Sequence, residues 1–175
     1  MIEIYTDGSC NPNPGKGGWG AYIVYPDGKT ENLHGGQENT TNNQMELMGA
    51  IKGLSHFEKK QKIKIYTDSQ YVQKGITGWI RQWKKNGWRT ANRKPVKNVD
   101  LWQQLDSECK KHTITWSWVR GHNGNYGNEK ADELAGLYVN GETKKEPELT
   151  LAQRVSALEQ KFDSILQDYL AEEHF

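Results

Sequence analysis

Alternating apolar and polar positions predict a set of strands along the first two thirds of the chain. These segments are rich in β-branched and aromatic residues, and turn residues separate them. They are Ile2–Thr6, Trp19–Tyr25, Lys29–Gly36, Lys62–Thr67 and Thr113–Val119. The sequence Tyr-Pro-Asp-Gly at 25–28 is typical of a hairpin turn, so the second and third strands are expected to be antiparallel.

Apolar residues at helical spacing predict four helices between and after these strands. They are Thr41–Lys59, Gln70–Lys84 with an interruption near Gly75, Val99–Lys110 and Gly127–Val139. Thr41 or Asn42 is expected to cap the first helix, and Asn98 is a candidate cap for the third. The order of elements predicts an α/β fold with a mixed sheet and helices packed against it.

A different pattern begins after residue 141. Residues 142–149 are charged and contain a proline, and we interpret them as a linker between a domain at 1–141 and an amphipathic helix at 150–175. A capping box at 150–153 begins this helix. Its apolar residues alternate by four and three as in a heptad seam: Leu151, Val155, Leu158, Phe162, Ile165 and Tyr169. The seam fits self-association or a partner helix, packing against its own domain, or a frayed extension.

The composition excludes several classes of protein. A chain of 175 residues can bury a core without disulfide or metal staples. A mean hydropathy of −0.92 and the lack of a long apolar run predict no membrane span. The N-terminus has no basic stretch before its apolar run, and Cys10 and Cys109 lack metal-ligand spacing. We therefore expect a cytoplasmic protein with two reduced thiols.

The net charge of +1 conceals an uneven distribution: +5 over residues 1–141 and −4 over residues 142–175. Residues 74–97 carry eight basic side chains and no acid, together with Trp79, Trp83 and Trp88. Such a segment favours contact with a polyanion such as nucleic acid. The alternative is a solvated basic helix whose tryptophans belong to the core, and helical spacing assigns Trp79 to the core more readily than Trp88.

Two strands end with the same four residues, Ile-Tyr-Thr-Asp. If these strands are parallel neighbours, Asp7 and Asp68 meet at their carboxyl ends, where ligands of open α/β sheets bind. Two close carboxylates raise each other's pKa or attract a cation. The alternative is that Asp7 begins a turn and Asp68 caps a helix.

Glu46 and Asp132 are helical carboxylates that could complete such a site, although each alone is more typical of a solvated helix face. Four acids without a histidine pair or a cysteine cluster favour Mg²⁺ or Mn²⁺. This donor set suits two-metal phosphodiester hydrolysis. His122, in a glycine-rich loop, could transfer a proton or be an exposed bystander.

Several motifs in this order and spacing resemble type 1 ribonuclease H of the bacterial ribonuclease HI kind, over about residues 1–140. They are Thr6–Cys10, Asn13–Gly15, Thr41–Leu47, Thr67–Val72, Trp83–Trp88, Lys94–Trp102, Trp118–His122, Asn128–Glu129 and Asp132–Ala135. Pro12 departs from the usual glycine of that pattern, which affects the geometry expected around Asn13.

The resemblance implies a ribonuclease H-like fold with a five-stranded mixed sheet in the order 3-2-1-4-5. It also implies endonucleolytic hydrolysis of the RNA strand of RNA–DNA hybrids, which leaves 5′-phosphate and 3′-hydroxyl ends. Asp7, Glu46, Asp68 and Asp132 would hold two Mg²⁺ ions, for which Mn²⁺ can substitute. His122 matches a histidine assigned to proton transfer or product release.

The resemblance also implies a surface that binds the hybrid. Residues matching the minor-groove contacts are Cys10, Asn13, Asn43 and Gln70, and Thr41 and Asn42 match a grip on a DNA phosphate. The basic protrusion contributes Trp79, Lys84, Lys85, Trp88, Arg89 and Lys97. Two rival functions are a resolvase or transposase core and an inactive hybrid-binding module. The complete hybrid-binding set argues against the first, and the four carboxylates argue against the second.

Overall fold

In a computed structural model, the described residues are 1–121 and 124–141 and, beyond these, residues 152, 155, 156, 158–160, 162, 163 and 166. The chain divides into two compact units, Met1–Glu142 and Thr143–Phe175. The first unit contains a five-stranded sheet in the order 3-2-1-4-5. Its strands are β1 (Ile2–Cys10), β2 (Gly15–Val24), β3 (Thr30–Thr40), β4 (Lys62–Thr67) and β5 (Thr113–Trp118). The predicted fold and strand order are confirmed.

The sheet is mixed, as the sequence predicts. Strands β1, β2 and β3 are joined by antiparallel pairings, whereas β4 pairs in parallel with both β1 and β5. The hairpin between β2 and β3 contains the expected turn, in which the Gly28 N–H donates to the Tyr25 carbonyl at 3.0 Å.

Helices cover both faces of the sheet. They are α1 (Asn42–Ser55), α2 (Gln70–Lys74), α3 (Ile80–Lys85), α4 (Val99–Lys111) and α5 (Tyr126–Val139). The predicted helix at 70–84 is therefore divided, because residues Gly75–Trp79 between α2 and α3 form a π-helical turn. Helix α1 is shorter than predicted and ends at Ser55 rather than at Lys59.

Neighbouring residues of β2 show which helix lies on which face. A Cβ at Gly53 of α1 would contact the side chain of Ala21, whereas a Cβ at Gly20 would lie 2.5 Å from the Ala131 carbonyl of α5. Successive residues of a strand point to opposite faces, so α1 and α5 lie on opposite faces of the sheet. The α1 face carries the main core, which includes Ile4, Ile23, Leu47, Leu54, Ile63, Ile65, Trp102 and Leu105.

Strands β1 and β2 extend further than the sequence predicts, through residues that were expected to form turns. The ladder continues from Asp7 opposite Gly20 to Cys10 opposite Gly17. Glycine is required here for close packing: a Cβ at Gly8 would overlap the backbone nitrogen of Glu46. These glycines therefore allow α1 and α5 to approach the ends of the strands.

In the second unit, the described residues of 152–166 are helical and exposed. Val155, Leu158 and Phe162 of the predicted seam have exposed fractions of 44%, 66% and 65%. The linker at 142–149 and the remaining seam residues Leu151, Ile165 and Tyr169 lie outside the described residues. Among the helices that the structure describes, none is long and apolar enough to cross a bilayer.

Candidate active site

The pairing of β1 with β4 brings Asp7 and Asp68 together. Thr6 lies opposite Thr67 in the parallel ladder, so each aspartate follows the same rung. One rung earlier, the rings of Tyr5 and Tyr66 stack with their centroids 4.5 Å apart. The sequence hypothesis of parallel neighbouring strands is therefore confirmed.

Neither aspartate has the alternative role considered from sequence. Asp7 lies within β1 rather than in a turn. Helix α2 is capped by Ser69, whose hydroxyl accepts a hydrogen bond from the Val72 N–H at 3.2 Å. The carboxylate of Asp68 is therefore not needed as a helix cap.

Glu46 joins the two aspartates from the early part of α1. One carboxylate oxygen from each of Asp7, Glu46 and Asp68 can be chosen so that all three lie within 4.8 Å of one another. Asp7 is buried, and its Oδ1 accepts a hydrogen bond from the Gly8 N–H at 2.8 Å. The Oε2 atom of Glu46 is buried and has no hydrogen-bond partner among the described residues.

Burial and mutual repulsion disfavour ionisation of all three carboxyl groups of this cluster. Burial, followed by the charge of Asp68, raises the pKa of Asp7 to about 8. Burial, followed by the charges of Asp7 and Asp68, raises the pKa of Glu46 well above its usual range. A cation in the cluster would remove the repulsion that produces these pKa shifts.

The donor set fits a hard divalent cation. It consists of carboxylate oxygens, which are the ligands that Mg²⁺ and Mn²⁺ prefer. The unpartnered Oε2 of Glu46 offers a further donor atom. Asp132 lies on α5 outside the three-oxygen group, but its charge also raises the pKa of Asp7, which places it in the same neighbourhood.

His122 and Asn123 lie outside the described residues, but the backbone just before them borders the site. A Cβ at Gly121 would lie 2.8 Å from Oδ2 of Asp68, so the chain passes directly beside this carboxylate. Gly121, the described residue directly before His122, therefore lies at the carboxylate cluster.

Of the predicted minor-groove contacts, Cys10, Asn13 and Asn43 lie around the 11–14 turn and the start of α1, whereas Gln70 begins α2. The Asn13 Oδ1 accepts a hydrogen bond from the Asn42 N–H at 3.2 Å, which connects the turn to the helix. Asn43 and Gln70 are exposed. Cys10 is buried, and its thiol faces the carbonyls of Pro12 and Thr40 at 3.2 and 3.4 Å, so the thiol supports this turn from inside.

The basic segment shows which of its tryptophans are exposed. Trp79 is 39% exposed, whereas Trp88 is partly buried and packs against the core. Helical spacing favours Trp79 over Trp88 as the core residue, and this order was wrong. The cause is the π-helical turn, which changes the angular position of Trp79 relative to a regular helix.

The basic side chains of this segment differ in their partners. Lys85, Arg89 and Lys97 are exposed, and the Arg89 guanidinium donates to the Arg93 carbonyl at 3.0 Å. The ammonium of Lys84 lies 2.6 Å from Oδ1 of Asp106. Lys84 is thus paired within the protein, although its side chain remains 41% exposed.

Sequence reasoning missed two residues beside the site. The Trp118 indole N–H donates to the Asp68 carbonyl at 3.2 Å, which holds the end of β5 against the end of β4. Asn98 makes no capping bond, and its side chain contacts Gln44 and Tyr71 instead. The position of Trp118 at the end of a strand was a usable signal, whereas nothing local indicated the partners of Asn98.

The sheet is covered by a helix on each face, and carboxylates lie at the carboxyl ends of two adjacent parallel strands. These features define an α/β protein with its ligand site at the strand ends. A profile of the RNase H family matches residues 1–139. The chain therefore belongs to the RNase H family. It is an enzyme of the ribonuclease H class.

Individual relatives agree with this assignment. The chain is 57% identical to Ribonuclease H of Pseudomonas fluorescens over 138 residues, which cover 79% of this chain and 91% of that protein. The solved structure of LC9-RNase H1, a type 1 RNase H with the type 2 active-site motif, superposes with a TM-score of 0.71 at 30% identity, covering 81% of this chain and 73% of that one. LC11-RNase H1, solved in complex with an RNA/DNA hybrid, shares the fold with a TM-score of 0.63 at 19% identity, covering 81% and 99%.

Proposed function

We propose that the protein cleaves the RNA strand of RNA–DNA hybrids endonucleolytically and leaves 5′-phosphate and 3′-hydroxyl ends. The observation that carries this proposal is the cluster of Asp7, Glu46 and Asp68, whose oxygens converge within 4.8 Å in a chain of the RNase H family. The exposed basic segment at 74–97 supports binding to a nucleic acid, since it can neutralise backbone phosphates.

In this proposal Asp7, Glu46, Asp68 and Asp132 hold two divalent cations, Mg²⁺ or Mn²⁺. Bound cations of this kind activate water and offset the negative charge that develops during in-line displacement at phosphorus. Asp7 is the central ligand, because it lies within reach of the charges of the other three carboxylates. Burial of Glu46 keeps bulk water from one of its oxygens and leaves that oxygen free for a cation.

The proposed roles of the remaining residues follow from their positions. His122 transfers a proton at the leaving group or assists product release, since its loop begins beside Asp68. Asn13, Asn43 and Gln70 contact the minor groove, in which 2′-hydroxyls distinguish RNA from DNA. Thr41 and Asn42 bind a DNA phosphate, and the basic segment contacts further phosphates.

Cleavage of matched labelled substrates tests the proposal. The substrates are an RNA–DNA hybrid, an RNA duplex and a DNA duplex of one sequence, each with Mg²⁺, with Mn²⁺ and with EDTA. We expect metal-dependent cutting of the RNA strand of the hybrid alone. Asp7→Asn should abolish cutting but leave hybrid binding largely intact, whereas Asp27→Asn, at the exposed hairpin turn, should cut normally. Binding without cutting by the unmodified protein would instead support the inactive hybrid-binding module.

The product ends and the number of cations need separate measurements. New 5′ ends should accept a kinase-transferred phosphate only after phosphatase treatment, and new 3′ ends should be extended by a polymerase. Two required ions predict that cleavage at low Mg²⁺ rises with about the second power of its concentration. A cyclic phosphate at the 3′ end would contradict the proposed chemistry.

We also propose that the helix predicted from sequence at 150–175 mediates self-association in a cytoplasmic protein. Val155, Leu158 and Phe162 support this, because they are exposed apolar residues at heptad spacing. The cytoplasmic location is supported by Cys10 and Cys109, which are both free thiols. A partner helix from another protein and packing against the first unit are the alternatives.

A further inference from the structure

The side chain of Gln44 connects segments that are far apart in sequence. Its Oε1 accepts a hydrogen bond from the Thr40 hydroxyl at 2.8 Å, and its Nε2 donates to Oδ1 of Asn98 at 3.1 Å. Its backbone N–H donates to the capping hydroxyl of Thr41 at 3.2 Å. One residue thus joins the end of β3, the start of α1 and the start of α4.

Asn98, at the far end of this connection, has an uncommon backbone conformation. Its φ of 58° and ψ of 31° are left-handed, a conformation that Asn tolerates better than most residues. Its Nδ2 donates to the hydroxyl of Tyr71 at 3.1 Å, and the Trp102 indole N–H donates to the same hydroxyl at 2.9 Å. The Tyr71 hydroxyl thus accepts from both Asn98 and Trp102, while Oδ1 of Asn98 accepts from Gln44.

The connection lies between two groups of proposed phosphate contacts. Thr41 and Asn42 stand at the start of α1, next to Gln44. Lys97 is exposed and directly precedes Asn98 at the end of the basic segment. Since phosphates along a strand have a fixed spacing, contacts on the two segments can be made together only if the segments keep a fixed separation.

We propose that Gln44 is a positioning residue for the substrate: its amide holds Asn98 and thereby places Lys97 at the correct distance from the phosphate contacts of α1. The inference rests on the proposed function, since it concerns binding of the same hybrid. Gln44 itself need not touch the nucleic acid, because both ends of its amide are already bonded inside the protein.

The test compares Gln44→Leu with Lys97→Ala and with the double variant. Removal of a contact far from the reacting bond should raise KM and leave kcat unchanged. We expect each single variant to raise KM for the hybrid by about fivefold, as for loss of one phosphate contact. If Gln44 acts through Lys97, the double variant should resemble the worse single variant rather than the product of the two.

Gln104→Leu is the matched control, because Gln104 is exposed on α4 and lies outside the basic segment and the proposed phosphate contacts. Its KM should stay within about twofold of the unmodified protein, as for a surface substitution. An unchanged KM for Gln44→Leu, a fall in kcat at constant KM, or multiplicative effects in the double variant would overturn the proposal.

Two further measurements separate the possible failures. Hybrid affinity measured by fluorescence anisotropy in EDTA reports the effect of Gln44→Leu without cleavage, so an inactive protein does not prevent the test. Circular dichroism establishes that the variant is folded, and Gln44→Met, an unbranched replacement of similar length, serves if the Leu variant is not. Weaker binding for either folded variant with unchanged binding for Gln104→Leu supports the proposal, and equal binding for all contradicts it.

Discussion

Lys84 and Asp106 form an ion pair with 2.6 Å between Nζ and Oδ1, and Lys110 approaches the other oxygen of Asp106 at 3.3 Å. The pair joins α3, within the basic segment, to α4. Asp106 is largely shielded from solvent, whereas the side chain of Lys84 is 41% exposed. If Lys84 contacts the substrate as proposed, Asp106 competes with substrate phosphates for its charge.

Asp106→Asn should consequently strengthen hybrid binding. Release of one ammonium for phosphate contact predicts an affinity about two- to fivefold higher at low salt. It also predicts that the slope of log affinity against log salt concentration becomes steeper by about one unit. Fluorescence anisotropy over a salt series measures both quantities.

Glu108→Gln is the control for this change, because Glu108 pairs with Lys111 outside the basic segment. It should leave hybrid affinity unchanged. Weaker binding by Asp106→Asn would show that the ion pair orients Lys84 for the substrate rather than restraining it. Because the Lys84 side chain is 41% exposed, the pair contributes only about 0–1 kcal/mol to the free energy of unfolding, so both variants should remain folded.

Asp7→Asn should stabilise the metal-free protein at high pH. The pKa of Asp7 is raised to about 8 in the folded state, so between its unfolded pKa of about 4 and pH 8 the folded protein holds a proton that the unfolded chain loses. The free energy of unfolding therefore falls as pH rises through this window. The variant should gain about 2–4 kcal/mol at pH 8.5 and almost nothing at pH 4, as measured by urea unfolding in EDTA. Equal stability of the two proteins at pH 8.5 would show that the carboxylates do not repel one another.

Mg²⁺ should stabilise the protein more at pH 8 than at pH 5.5. The ion binds deprotonated carboxylates, and the raised pKa values of Asp7 and Glu46 mean that protons compete for these oxygens at the lower pH. A ligand that binds only the folded state raises the unfolding temperature according to its affinity. Thermal unfolding with and without Mg²⁺ measures the difference, and Asp7→Asn should largely lose it. A shift independent of pH would place the bound ion elsewhere.

Gly20→Ala should damage both stability and cleavage. The new Cβ would lie 2.5 Å from the Ala131 carbonyl and 2.7 Å from Cβ of Leu134, so α5 must move away and carry Asp132 with it. We expect a loss of about 1–3 kcal/mol in the free energy of unfolding, together with lower activity at a temperature where the variant is folded. Gly78→Ala is the control, since no atom lies within 4 Å of its Cβ position, and it should be neutral or slightly stabilising. Normal cleavage by folded Gly20→Ala would show that the position of Asp132 is not needed for catalysis.

Removal of residues 141–175 should abolish self-association. Sedimentation of the full chain is expected to show a mass that rises with protein concentration, whereas the truncated protein should remain a monomer. Leu158→Glu places a charge in the middle of the heptad seam and should act like the truncation, since charged residues are unfavourable at seam positions. Glu159→Gln, beside the seam residue, is the control and should associate normally. A full chain that is monomeric at every concentration would exclude this role.

Much of the site could be predicted from sequence because its geometry follows from local patterns. The strand Lys62–Thr67 has the predicted bounds. The repeated Ile-Tyr-Thr-Asp sequence was enough to predict that Asp7 lies beside Asp68, since parallel strands in register place equivalent residues side by side. Helical spacing likewise placed Glu46 near the start of α1.

Other features depend on contacts that no local pattern contains. The extension of β1 and β2 depends on helices that need glycine in the strands, although glycine alone is more typical of a turn. The partners of Asn98 and Lys84 come from elements distant in sequence. Helical spacing favoured a buried Trp79, but the side chain is exposed, because the spacing of a regular helix does not hold through the π-helical turn.

The π-helical turn at Gly75–Trp79 contains one residue more than an α-helical turn would. One residue of an α-helix corresponds to a rotation of about 100°. A deletion of Gly78 would remove this extra residue and let residues 70–85 wind as an unbroken α-helix, so Lys84 would keep its direction towards Asp106. In this stretch a single-residue deletion would therefore do less harm than in a regular helix such as α4, where it would rotate every later side chain by about this angle.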